Sequence, residues 1–182
     1  MNVFLDFEAS SLADDSYPIE VAWVYQDGRS ESHLIAPASQ WTDWDPKSEA
    51  IHGISRQTLF DEGDAHDMVA ARTVEALTGH DLFASAPSWD GKWMSALLRA
   101  AGLPRHALRL RDTDDALRET VTAILKPHFA PVRLPLEVHN LIARVEEPRN
   151  AAPSHRALAD AKVEYEKWLA VRTAARALVM TT

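Results

Sequence analysis

The sequence predicts an α/β protein in which helices flank a mixed sheet, and the order and composition of its segments support this class. Three strand patterns come first, and further strands then alternate with helices, which gives the order βββ-α-βα-βα. The chain has 46% apolar and 25% charged residues, as globular proteins do. Its 182 residues suffice for one well-buried domain and are few for two, so we expect one domain over residues 1–182.

The first part of the chain predicts an antiparallel meander. An apolar run over residues 2–9 predicts the first strand, and residues 18–26 predict the second. Asp27 and Gly28 form a strong tight-turn signal, so a third strand over residues 30–36 should pair antiparallel with the second.

Helix signals begin after this meander. Asp45 is placed as an N-cap before Pro46, and Gly53 ends the short helix that follows. Alternation of helix and strand patterns then continues to the end of the chain. We predict helices over residues 64–77, 89–101, 113–126, 137–144 and 155–179, strands over 82–84 and 108–111, and otherwise irregular chain over 131–153.

Composition excludes several classes of function. The chain has no cysteine, which removes disulfides and thiolate zinc sites, and its eight histidines form no compact zinc cluster. A net charge of −8 argues against a broad surface that grips long duplexes, although it leaves room for a small nucleic-acid site. The N-terminus lacks a basic leader and no apolar run reaches membrane length, so we expect a cytoplasmic protein without membrane contact.

Two carboxylates stand one residue apart in the first strand. Asp6 and Glu8 should project to the same face, because residues i and i+2 of a strand do so. Adjacent like charges repel unless a cation lies between them, and oxygen ligands suit Mg²⁺ or Mn²⁺. A strand end that exposes two solvated acids explains the pair equally well.

Three later residues fit the same site. Asp90 begins a helix after a predicted strand, and His155 and Asp160 lie near the start of the last helix. Singly, these residues fit a helix cap, a surface histidine and a solvated helix acid. Together with the first pair they suit two divalent ions about 3.5–4 Å apart, which stabilise a phosphodiester's attacking and leaving oxygens while a histidine takes the water's proton.

The same residues resemble the three motifs of the DEDDh family of 3′→5′ exonucleases. The motifs are Asp6-x-Glu8, then Asp90 in a Trp-Asp-x-x-Trp setting, then His155-x₄-Asp160. Residues 155–161, His-Arg-Ala-Leu-Ala-Asp-Ala, are the most specific part, and residues 51–55, Ile-His-Gly-Ile-Ser, also resemble a family segment.

This resemblance implies a ribonuclease-H-like fold with a mixed five-stranded sheet. It implies that Asp6, Glu8, Asp90 and Asp160 bind two Mg²⁺ or Mn²⁺ ions and that His155 is the general base. The implied partner is the 3′ end of single-stranded RNA or DNA. Many relatives are homodimers, and an apolar face on the last helix suits either a dimer contact or packing on the sheet. Substrate contacts are implied at Phe7, Ala9, Ser10, His52 and Trp89.

The chain departs from the family pattern in two places. Many members have Thr-Thr-Gly after the glutamate where this chain has Ala9-Ser10-Ser11, so one hydroxyl near the terminal sugar is missing. An asparagine common before the third acid is also replaced. We therefore expect a metal-dependent 3′→5′ exonuclease that releases nucleoside 5′-monophosphates, with altered substrate preference. The alternatives are a catalytically silent nucleic-acid-binding relative and a phosphohydrolase of small phosphoesters.

The chain also has six tryptophans, which is many for its length. Most are expected in the core. Trp41 and Trp44 lie in a polar loop before His52 and are candidates for a wall on which bases stack.

Overall fold

The structure is a computed structural model, and it describes residues 1–145 and 154–181. Strands and helices alternate after an opening meander, as the sequence predicts. The strands are β1 (Asn2–Ala9), β2 (Pro18–Tyr25), β3 (Ser30–Ala36), β4 (Asp64–Ala65), β5 (Asp81–Ala84) and β6 (Leu110–Asp112). The helices are α1 (Pro46–His52), α2 (Arg56–Glu62), α3 (His66–Leu77), α4 (Pro87–Ala100), α5 (Thr113–Leu125), α6 (Leu134–Val145) and α7 (Ala157–Thr181).

One mixed sheet of six strands has the order β4-β3-β2-β1-β5-β6. Strand β1 is central, antiparallel to β2 and parallel to β5. Strand β2 pairs antiparallel with β3, which confirms the predicted meander, and β6 extends the parallel side beside β5. The carboxyl ends of β1 and β5 therefore reach the same edge of the sheet, where sites form in open α/β sheets.

Helices cover both faces of the sheet, and β1 alternates between the two cores. Leu5 and Phe7 pack on one face with residues of α3 and α4, whereas Phe4 packs on the other face with residues of α5, α6 and α7. Because side chains alternate along a strand, Asp6 and Glu8 project from the same face of β1 as Phe4. The two acids thus lie on the face that α7 covers.

The apolar face of α7 is used within the chain. Trp168, Val171 and Ala175 are buried in the core that this helix shares with α5 and α6. The indole Nε1 of Trp168 also donates a hydrogen bond to Thr120 Oγ1 at 2.8 Å, so the buried polar group is paired. Packing on the sheet, one of the two roles expected for this face, accounts for these side chains.

The structure corrects the sequence prediction in several local details. The sheet has a sixth strand, the two-residue β4, whose pairing with β3 depends on tertiary contact. Helix α2 was not predicted, and α3 begins at His66 because the two preceding residues form β4. Helix α6 is longer than predicted, and the remainder of the irregular segment predicted over 131–153 lies partly outside the described residues. Among the helices described, none is long and apolar enough to cross a membrane.

Candidate metal centre

Three carboxylates meet where the end of β1 faces the start of α7. Asp6, Glu8 and Asp160 each offer an oxygen, and these oxygens all lie within 4.8 Å of one another. All three side chains are partly buried rather than freely solvated. The structure thus brings together two acids adjacent in the sequence and a third that follows them by more than 150 residues.

Asp90 reaches the same edge from the first turn of α4. This residue is 2% exposed, and its Oδ1 accepts a hydrogen bond from the main-chain N–H of Phe7 at 3.2 Å. Its Oδ2 is buried and has no hydrogen-bond partner among the described residues. The N-cap of α4 is Ala86, and Asp90 is the acidic residue of the first turn of this helix. The carboxylate of Asp90 approaches the strand that carries the first two acids.

The electrostatics of this cluster favour protonation when no cation is present. Burial, followed by the charge of Asp90, raises the pKa of Asp6 to about 9. Burial, followed by the charge of Asp160, raises the pKa of Glu8 to about 8, against an opposing effect of Arg156. Burial raises the pKa of Asp90 to about 7, although hydrogen bonds from main-chain groups oppose the shift. Like charges in a site of low polarity produce such shifts.

His155 lies two residues before the start of α7 and has a left-handed backbone, with φ of 50°. This conformation costs a non-glycine residue roughly 1–2 kcal/mol, so neighbouring contacts must hold it in place. Ser154 on one side donates from its main-chain N–H to Asp160 Oδ1 at 3.3 Å. Within the part of the chain that the structure describes, the imidazole makes no hydrogen bond, which leaves it available to a ligand or water.

Two further acids belong to this region, and the sequence reasoning missed both. Glu164 is buried one turn beyond Asp160 on α7, and Lys167 Nζ donates to its Oε1 at 2.6 Å. Glu164 lies four residues after Asp160, a spacing that places both side chains on one face of a helix and could have revealed it. Glu20 is buried in the apolar strand β2 and pairs with Arg156. The sequence signal for Glu20 is a single acid inside an otherwise apolar strand pattern.

Three predicted substrate residues lie in β1 or directly after it, and their side chains are buried. Phe7 is 4% exposed in the core, and Ala9 is also buried. Ser10 is fully buried; its Oγ donates to Asp43 Oδ2 at 2.7 Å and accepts from the main-chain N–H of Tyr17 at 3.1 Å. Contact between these three positions and a substrate remains a prediction.

The other two predicted substrate residues differ in exposure. His52 is buried, and Ile54 N donates to its Nδ1 at 3.1 Å, so the proton of the neutral ring is on Nε2. Burial lowers the pKa of His52, which favours this neutral form. Trp89 is 38% exposed, and the Lys92 ammonium lies 5.0 Å from the centre of its ring. The Trp93 ring also packs against that of Trp89, with ring centres 5.7 Å apart, so Trp89 is a partly exposed aromatic residue next to Asp90.

The two tryptophans considered as a base-stacking wall have partners within the protein. Trp41 stacks on Tyr17 with ring centres 5.1 Å apart and an interplanar angle of 9°. Trp44 Nε1 donates to Glu49 Oε2 at 2.7 Å, and its ring meets His52 edge-on. Both are partly buried, so a role as a substrate wall remains a prediction.

The donor set fits hard divalent cations. Three clustered carboxylates provide oxygen ligands only, which suits Mg²⁺ or Mn²⁺ better than Zn²⁺. The unpaired Oδ2 of Asp90 is a buried acceptor that a cation or its hydration water would satisfy. Charge neutralisation by a cation would also relieve the repulsion that raises the pKa values of Asp6 and Glu8.

No protein-family model matches the sequence, and no curated protein matches it either. Solved structures do match. A zinc-bound complex of E. coli exonuclease I with single-stranded DNA shares 18% identity over 94% of this chain and 40% of that chain, with a TM-score of 0.66. E. coli exonuclease I with a dT13 oligonucleotide gives 17% identity over 99% and 42%, with a TM-score of 0.67.

Exonuclease I from Methylocaldum szegediense is similar as well. It shares 16% identity over 92% of this chain and 40% of that chain, with a TM-score of 0.64. The chain thus spans about two fifths of the length of these structures. At such low identities the likeness shows the fold alone, and it confirms the ribonuclease-H-like architecture that the motif resemblance implied.

Proposed function

We propose that this protein is a metal-dependent 3′→5′ exonuclease of the DEDDh type, acting on the 3′ end of single-stranded nucleic acid. The observation that carries the proposal is the convergence of Asp6, Glu8 and Asp160 within 4.8 Å, with His155 two residues before the helix that carries Asp160. Asp90 completes the set of four acids. A fold shared with exonuclease I supports the same activity, because those structures contain single-stranded DNA.

The four acids share one role in this proposal. Asp6, Glu8, Asp90 and Asp160 would hold two Mg²⁺ or Mn²⁺ ions. When bound, such ions stabilise negative charge on the attacking and leaving oxygens of a phosphodiester. Phe7 N–H fixes the carboxylate of Asp90, and Ser154 N–H contacts that of Asp160, so both acids are oriented before any ligand arrives.

His155 is the proposed general base. Its imidazole takes a proton from the water whose oxygen forms the new bond to phosphorus, and the bond from phosphorus to the 3′ oxygen of the penultimate nucleotide breaks. That oxygen then gains a proton from solvent. The products are a nucleoside 5′-monophosphate and a chain one nucleotide shorter that ends in a 3′-hydroxyl.

The substrate end would lie across the edge of the sheet between α4 and α7. Trp89 is a partly exposed aromatic residue there, and base stacking on its ring would tolerate any sequence. Ser10 Oγ and Ser11 Oγ donate to Asp43 Oδ2 at 2.7 and 2.6 Å, so neither hydroxyl has a proton free to donate to the terminal sugar. Discrimination between DNA and RNA would then depend on other groups around the sugar.

A gel time course with 5′-labelled single-stranded DNA and RNA of matched sequence tests this proposal. We expect ladders that shorten from the 3′ end with Mn²⁺ or Mg²⁺, none with chelator, and none from Asp6→Ala. The faster polymer identifies the substrate class. If Asp6→Ala shortened oligonucleotides at the wild-type rate, the proposal would be wrong.

Hydrolysis of small phosphoesters is the second candidate, because the acidic net charge of the chain does not oppose such substrates. A thymidine p-nitrophenyl phosphodiester would be cleaved under both proposals. Only the exonuclease would also shorten oligonucleotides stepwise. A catalytically silent binding protein would cleave neither substrate while still retaining bound metal.

A further inference from the structure

Glu20 is a buried carboxylate with no place in the four-acid metal set. It lies in the interior of β2, opposite Glu8 in the register of the β1 and β2 pair, and is 2% exposed. Neighbouring strand residues on both sides are apolar and buried. A charged group at such a position is costly unless it is paired and hydrogen-bonded, so its partners indicate its role.

All the partners of Glu20 come from the segment next to His155. Arg156 donates from Nη2 to Oε1 at 2.8 Å and from Nε to Oε2 at 3.1 Å, a bidentate pair. The main-chain N–H of Ala157 donates to Oε2 at 3.0 Å. That N–H belongs to the first residue of α7, where a negative charge also complements the helix dipole.

The residues on both sides of His155 are therefore held by hydrogen bonds. On one side Ser154 contacts Asp160, and on the other side Arg156 and Ala157 are fixed to Glu20. Between these residues the His155 backbone has a φ of 50°, and it is the one non-glycine residue with positive φ among residues 1–145 and 154–181. A left-handed backbone persists where surrounding contacts impose it.

We propose that Glu20 is a positioning residue for His155, which it holds in the left-handed conformation through Arg156 and the first N–H of α7. This inference rests on the proposed function, because it assigns Glu20 to the same reaction. Glu20 is not one of the three carboxylates that cluster within 4.8 Å. Its removal would let the segment from residue 154 to residue 157 relax and would move the imidazole away from the attacking water.

A double-mutant cycle with His155 distinguishes this role from general structural support. Glu20→Gln keeps the shape of the side chain and removes its charge. In the wild-type background we expect kcat on a single-stranded oligonucleotide to fall at least tenfold, with KM within twofold. In the His155→Ala background we expect Glu20→Gln to cause no further fall, because the residue that it positions is already gone.

The cycle needs a matched control on the same sheet. Glu31 on β3 also forms a bidentate pair, with Arg72 on α3, at 2.6 and 2.9 Å. This pair is remote from His155, so Glu31→Gln should leave kcat unchanged. If Glu20→Gln folds poorly, Arg156→Gln replaces it, because the Arg156 side chain is 50% exposed and tolerates change. The same kcat loss is expected.

A second readout does not depend on activity. Hydrogen exchange of the segment 154–160 in the metal-free protein should be at least tenfold faster in Glu20→Gln than in wild type, whereas Glu31→Gln should leave it unaltered. Mn²⁺ affinity should change less than twofold in Glu31→Gln.

Two results would overturn the inference. One is wild-type kcat and exchange in both Glu20→Gln and Arg156→Gln; the other is an equal kcat loss in the wild-type and His155→Ala backgrounds. Failure of the proposed function looks different. In that case Asp6→Ala and His155→Ala would retain wild-type activity, and the exchange measurement alone would decide whether Glu20 holds the segment.

Discussion

The carboxylate of Asp90 on α4 accepts a hydrogen bond from the main-chain N–H of Phe7 on β1, at 3.2 Å. Phe7 lies between the two acids of β1, so this bond ties the helix to the strand where the carboxylates meet. The other carboxylate oxygen of Asp90, Oδ2, is buried and has no hydrogen-bond partner among the described residues. One side chain thus joins a structural contact to an open ligand position.

Two substitutions of Asp90 should separate these roles. Asp90→Asn retains an acceptor for Phe7 N–H, so its free energy of unfolding in chelator should be no lower than that of wild type at pH 8. Asp90→Ala leaves this buried N–H unpaired, which costs about 1–3 kcal/mol. Both should lose nuclease activity at least about 100-fold, because both remove the ligand charge. Urea unfolding and an oligonucleotide assay measure the two effects. Equal stability of the two variants would contradict this account of the bond.

The stability of the metal-free protein should fall as pH rises. Burial and neighbouring acids raise the pKa of Asp6 to about 9 and that of Glu8 to about 8, whereas both lie near 4 in an unfolded chain. Between these values the native state binds more protons than the unfolded state. Its stability therefore decreases from about pH 4 towards pH 9.

Thermal unfolding at pH 5.5 and pH 8.5 in chelator measures this effect, with the double variant Asp6→Asn, Glu8→Gln as the reference for all other titrating groups. We expect wild type to lose more Tm between the two pH values than the variant does. Mn²⁺ should raise the wild-type Tm more at pH 8.5, because the ligands must release protons before they bind metal. Parallel pH profiles for wild type and variant would contradict the raised pKa values.

Removal of His155 should affect turnover and spare metal binding. His155→Ala is expected to lower kcat about 10²–10⁴-fold, the range typical of a lost general base. Mn²⁺ affinity, measured by titration calorimetry, should stay within about twofold, because the carboxylates alone form the cluster. His139→Ala on the exposed side of α6 is the matched control and should change neither quantity. A large loss of Mn²⁺ affinity in His155→Ala would instead make this histidine a ligand.

Trp89 should contribute to binding of the nucleic acid. Loss of one stacked base is worth about 1–3 kcal/mol, so Trp89→Ala should raise KM about 5- to 150-fold, while Trp89→Phe retains most of the affinity. Phe60 on α2 is 58% exposed and serves as the control aromatic, for which we expect no change in KM. An unchanged KM in Trp89→Ala would remove this residue from the substrate site.

Local signals in the sequence predicted most of the fold. The tight turn at Asp27 and Gly28 fixed the antiparallel pairing of β2 and β3, and the N-cap at Asp45 marked the start of α1. Strand β4 could not be predicted, because two residues carry no periodicity and their pairing with β3 exists only in the folded chain. Helix α2 is only seven residues long, too short to show a clear helical period, and the one local signal for it is the N-cap residue Ser55.

The site shows the same division between local and long-range information. The period of two along β1 predicted that Asp6 and Glu8 share a face, and the structure places Asp160 beside them. The engagement of Ser10 with Asp43 depends on a loop 33 residues away, which no local pattern reveals. The hydrogen bonds that hold the segment after His155 likewise depend on Glu20, more than 130 residues earlier in the chain.

Hydrolysis in H₂¹⁸O tests the central claim most directly. Wild-type protein with Mn²⁺ and a single-stranded oligonucleotide should release nucleoside 5′-monophosphate carrying one ¹⁸O, seen by mass spectrometry, and should leave a 3′-hydroxyl on the shortened chain. Asp6→Asn should release none. Release of unlabelled nucleotide, a 3′-phosphate on the shortened chain, or equal release from Asp6→Asn would contradict attack of water on the terminal phosphodiester at this carboxylate cluster.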